Sequence, residues 1–61
     1  MPTFQIRDED SGIALRKGKT AREALLAFLA SRALAEKNPT VTMEGKEAVA
    51  TMDGKTYRAV P

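Results

Sequence analysis

The segment from Thr20 to Asn38 constrains this chain more than any other. Thr20 and Glu23 stand at the Thr-x-x-Glu spacing of a capping box, in which the hydroxyl and the carboxylate each satisfy an amide at a helix start. Strong helix formers follow from Ala21 to Ala35 with no Gly or Pro, and Asn38-Pro39 supplies the stop because proline disfavours a helical residue before it. The expectation is one helix from Thr20 to about Glu36. In a chain of 61 residues that helix takes up most of the cover available to any sheet.

The flanking segments read as strands. Thr3 to Arg7 alternates, with Phe4 and Ile6 on one side and Thr3, Gln5 and Arg7 on the other. Asp8-Glu9-Asp10-Ser11-Gly12 reads as a turn, Ile13 to Arg16 as a short returning strand with Ile13 and Leu15 buried, and Lys17-Gly18-Lys19 as the loop into the helix. Beyond Pro39 the period changes to two, and Thr42-Met43-Glu44-Gly45-Lys46 recurs nine residues later as Thr51-Met52-Asp53-Gly54-Lys55. An acidic residue before glycine between extended runs is a tight-hairpin signal. It predicts a meander of Thr40 to Met43, Lys46 to Met52 and Lys55 to Val60, with Val41, Met43, Ala48, Ala50, Met52, Tyr57 and Ala59 on one face, and Lys46 and Lys55 near the turns.

The fold class is therefore α+β, a single domain spanning 1–61. One helix packs on an antiparallel sheet in the order β-β-α-β-β-β, with a C-terminal three-stranded meander. The expected core is Phe4, Ile6, Leu15, Leu25, Phe28, Leu29, Val41, Met43, Met52 and Tyr57. A chain this short buries only about 60% of its unfolded surface. It has no cysteine and no histidine, which removes disulfides and the usual zinc ligands, so no metal and no cofactor is expected and oligomerisation is the remaining staple. No run approaches the roughly 18 apolar residues of a membrane span and no signal sequence opens the chain, so the expected location is cytoplasmic.

The helix circumference leads to an expectation about assembly. Ala21, Ala24, Leu25, Phe28 and Ala35 form one stripe, while Leu26, Ala30, Ala33 and Leu34 lie on the opposite side. Alanine needs no partner to favour a helix, but Leu26 and Leu34 do need cover. The reading is a homodimer with an interface at Leu26, Ala30, Ala33 and Leu34, formed side by side or by exchange of a hairpin. A different protein docking on that surface is the alternative. The functional expectation is a non-enzymatic interaction or assembly protein.

Arg16, Lys17, Lys19 and Arg22 put four positive charges within seven residues at the positive end of the helix dipole. This is the physical case for binding nucleic acid or another polyanion. It ranks below assembly, because Asp8, Glu9 and Asp10 lie nearby, no aromatic platform is available for bases, and a net charge of +2 is mild. Two motifs fail on spacing. Gly12 and Gly18 have five residues between them where a phosphate loop needs four, and Asp8-x-Asp10-x-Gly12 puts glycine where a calcium loop needs an oxygen ligand.

Pro2 supports one enzyme reading. Removal of Met1 exposes a secondary amine, and Pro2 followed by a strand, a helix and later strands resembles the oxalocrotonate tautomerases. That resemblance implies Pro2 as a general base. The chain departs from the family in placing a second short strand before the helix.

Overall fold

The computed structural model describes residues 1–8, 12–34, 36, 38–52 and 54–61. The central residues of the acidic turn expected at 8–12, the helical position expected for Ala35, and Asp53 of the second hairpin lie outside them. The elements run β1 (Thr3–Asp8), β2 (Gly12–Lys17), α1 (Ala21–Ser31), β3 (Thr40–Glu44), β4 (Glu47–Met52) and β5 (Lys55–Val60). They form one antiparallel sheet in the spatial order β2-β1-β5-β4-β3. The expected α+β class and the order β-β-α-β-β-β hold.

β5 joins the meander to the N-terminal hairpin by pairing with β1, Ile6 against Ala59 and Arg7 against Arg58. This closes β1 into the sheet interior and leaves β2 and β3 as the edges. The second hairpin has the expected register, with Ala50 against Tyr57 and Met52 against Lys55. The first turns one residue later than expected, on Gly45-Lys46, so that Glu44 pairs with Glu47 and Met43 with Ala48. Gly45 has φ +64° while Lys46 stays at negative φ. Glycine at the first central position is what a II′ turn requires, and that conformation matches the strand twist. The shift moves pairings by two residues, so the faces are preserved.

α1 covers one face of the sheet. Ala21, Ala24, Leu25, Phe28 and Leu29 are buried against Phe4, Ile6, Ala48, Ala50, Met52, Tyr57 and Ala59. Ala24, Ala48, Ala50 and Ala59 are fully buried. Methyl groups on both surfaces let the helix lie close, and Leu25, Leu29 and Ile6 fill the space between. Phe28 packs on Tyr57 with ring centroids 5.8 Å apart.

The start of α1 agrees with the sequence and its end does not. The Thr20 hydroxyl accepts from the Glu23 amide at 3.2 Å, as an N-cap does. The helix stops at Ser31, well short of Glu36. Ala33 turns left-handed with φ 58°, its amide donating to the Ala30 carbonyl at 3.1 Å and that of Leu34 to the Leu29 carbonyl at 2.8 Å. These 5→2 and 6→1 bonds make a Schellman cap, whose usual hydrophobic contact is supplied by Leu34 packing back against the core. Sequence reading missed it because the left-handed position carries alanine where glycine is the ordinary signal.

Because an L residue pays about 1 kcal/mol to sit left-handed, Ala33→Gly is expected to stabilise the fold by about 0.5 kcal/mol despite the added freedom of the unfolded chain. Thermal denaturation checks this. A loss of stability would mean that the helix continues through Ala33.

Candidate functional site

The largest departure from sequence expectation lies in β2. Phe4 pairs with Arg16 and Ile6 with Ala14, and side chains opposite each other in a sheet share a face. Ala14 and Arg16 therefore lie on the helix side, while Ile13 and Leu15 point to the uncovered face, 61% and 59% exposed. The expected burial of Leu15 is corrected accordingly, and Met43, at the β3 edge, is 47% exposed.

Arg16 takes the place expected for an apolar residue by lying along the core margin. Its guanidinium stands 5.5 Å from the Phe28 ring centroid, and it donates to the Leu15 carbonyl at 2.7 Å and to the Ser31 hydroxyl at 3.5 Å. Arg32 lies 5.0 Å from the same ring. A long aliphatic stem ending in a planar cation can cover an aromatic edge and still reach water.

The open sheet face is apolar at its β2 edge, at Ile13 and Leu15, and polar across β1, where Gln5 and Arg7 stand next to them. Leu15, Gln5 and Val60 follow one another across β2, β1 and β5 in register. The next row runs Ile13, Arg7, Arg58, Val49 and Thr42. Val49 is buried although no helix covers it, and Val60 is half-buried. Arg58 donates to the Glu47 carboxylate at 2.7 Å and lies 3.8 Å from that of Glu44. The hydrogen bond to Glu47 is the main cause that raises the Arg58 pKa above its ordinary value, with both carboxylate charges adding to it against partial desolvation. Arg7 donates to the Gln5 side-chain oxygen at 3.3 Å. Three of the face's charges are thus matched within the subunit.

The residues expected to form a helix-face interface are distributed differently. Ala30 and Ala33 are exposed, Leu26 is half-buried, and Leu34 packs on the core beyond the helix end. What α1 presents outward between Arg22 and Ser31 is mainly Ala27 and Ala30 among charged residues, a small apolar surface next to that of Ile13 and Leu15.

The basic cluster is also dispersed. Arg16 runs toward the C-terminal end of α1, Lys17 lies on the open sheet face with Thr3, and Arg22 is exposed on the helix. Lys19 stays by the helix start and meets Lys46, from the β3–β4 turn, across a cavity. Sequence reading missed Lys46 because a nonlocal approach of hairpin tip to helix start leaves no signal in spacing. Pro2 is exposed, and its carbonyl accepts from the Gly18 amide at 3.1 Å.

Gly18 itself has a structural role. A Cβ there would stand 2.8 Å from the Ala24 amide nitrogen and 3.1 Å from the Thr20 carbonyl oxygen, both backbone atoms that cannot swing away. The glycine next to Lys19 thus lets the loop pass against the first helical turn. Gly18→Ala is expected to cost about 1–3 kcal/mol by overpacking, measured by urea denaturation. Wild-type stability in that variant would contradict the close approach.

No protein-family description matches this chain, and comparison with curated proteins and with solved structures gives no match either. Among the described residues no helix is long and apolar enough to cross a membrane.

Proposed function

We propose that the protein is a non-enzymatic assembly protein that acts as a homodimer, with the open face of its sheet as the contact. The observation that carries this is the exposure of Ile13 and Leu15 on a face that no element among the described residues covers, with Val60 one strand further in, beyond Gln5. Large apolar side chains left this exposed together on one strand are a feature of association surfaces.

A second copy fits for three reasons. Five strands about 4.8 Å apart and six residues of about 3.3 Å each give a flat footprint on the order of 500 Å². Side-chain relief brings that toward the ~800 Å² per partner of a standard interface. A two-fold axis parallel to the sheets, midway between them and perpendicular to the strands at the level of Ala14, sets Ile13 of one copy over Leu15 of the other, so the β2 pair is self-complementary. The Arg58–Glu47 pair, matched within the subunit, lowers the cost of bringing this charged row under a partner. The result is a sandwich of two sheets with α1 on each outer side, which gives a small chain the second apolar layer it lacks.

Sedimentation equilibrium should find a dimer for the native chain. The Ile13→Lys/Leu15→Lys variant should be a monomer with an unchanged far-ultraviolet spectrum. Ala30→Lys, on the exposed helix face, should remain dimeric. Leu34 is unsuitable as a helix-face probe because it packs on the core. A native monomer at millimolar concentration would contradict the assembly reading. Dissociation by Ala30→Lys alone would return the interface to the helix.

A further inference from the structure

We propose that the cavity between the start of α1 and the β3–β4 hairpin tip binds a single-chain anionic amphiphile, with a fatty carboxylate of about eight carbons as the ligand class. The cavity holds about 300 Å³ and is lined by Phe4, Ala21, Met43 and Pro61, with Thr20 and the two cations Lys19 and Lys46 completing it. It is independent of the proposed dimer, because Phe4, Ala21 and Met43 belong to the helix side of the sheet and the dimer uses the other side.

Its shape and chemistry together select the ligand. Binding cavities begin at about 300 Å³ and combine apolar walls with a few convergent polar groups. At roughly 30 Å³ per water-sized unit, this one accepts about ten non-hydrogen atoms, the size of octanoate. Phe4 is 6% exposed and Met43 47%, so the walls grade from a fixed aromatic floor to a flexible thioether at the mouth. Met side chains adapt to varied apolar ligands.

The charged side chains of the lining, Lys19 and Lys46, have one sign. Among the described residues neither Lys19 nor Lys46 has an ion-pair partner. They come from different elements, one from the loop into α1 and one from the hairpin turn. A carboxylate between them replaces cation repulsion with two attractions while its alkyl chain lies on Phe4 and Met43. The first helical amides, those of Ala21 and Arg22, lack intrahelical acceptors by position and face the same end of the fold.

The test is a nuclear magnetic resonance titration of the full chain with octanoate, with octanol and octyltrimethylammonium as matched neutral and cationic probes. Saturable shifts are expected at Phe4, Ala21, Met43 and Lys46, with a dissociation constant on the order of 0.1–1 mM. Octanol and the Lys19→Gln/Lys46→Gln variant should each bind about fivefold more weakly, as expected for two solvent-exposed charges. Both lysines are exposed, so that variant should keep the native spectrum. The proposal is overturned if octanoate gives no saturable shift by about 10 mM, or if octanol or the cationic probe binds as well as octanoate. It is also overturned if the shifts fall on Ile13, Leu15 and Val60 instead. Co-sedimentation with phosphatidylglycerol vesicles without octanoate binding would equally overturn it, in favour of a membrane surface.

Discussion

One helix of 11 residues must cover one face of a five-stranded sheet, and it has nothing left for the other. The rest of the structure follows from that imbalance. The helix lies close because its buried line includes Ala21 and Ala24 while the sheet beneath offers Ala48, Ala50 and Ala59. Close approach maximises dispersion per residue in a core too small to waste volume. It also explains the demand for glycine at position 18, where the incoming loop passes within backbone contact of Ala24. The outer strands receive less cover. Arg16 lies along the core edge by its stem at β2, and Met43 remains half open at β3.

The open face is where the fold and the proposed function meet. A monomeric sheet normally alternates apolar and polar along each strand, with the polar side in water. β1 follows that rule and β2 inverts it, since its larger apolar residues are on the water side and its arginine on the helix side. Within the subunit the inversion sets Arg16 against Phe28 and Ser31, but it leaves Ile13 and Leu15 without cover. It becomes favourable if a second copy desolvates Ile13, Leu15 and Val60. The ion pair of Arg58 with Glu47, matched in the subunit, offsets part of the positive charge of this face, where Arg7 stands directly opposite Arg58.

Much of the architecture was legible because it rests on local chemistry. The Thr20 cap, the change of period after Pro39, the register of the second hairpin and the buried set Leu25, Phe28, Leu29, Met52 and Tyr57 all follow from neighbours in the chain, whereas the first hairpin turns on Gly45-Lys46, one residue past its acid-glycine signal. The misreadings share a different origin. Hydrophobicity places Ile13 and Leu15 on the buried face of their strand, yet that face is set by pairing with β1, a relation that composition does not encode. The helix was read past Ser31 because a left-handed alanine gives no warning, and its termination depends on Leu34 finding the core. The meeting of Lys19 with Lys46 was invisible for the same reason: they are brought together by how the hairpin tip docks at the helix start.

The most direct test of the central claim is an intermolecular nuclear Overhauser experiment on a sample mixed from isotope-labelled and unlabelled chains. The account predicts intermolecular contacts from the methyl groups of Ile13 to those of Leu15, and none from Ala27 or Ala30. Intermolecular contacts confined to the helix, or none at millimolar concentration, would contradict it.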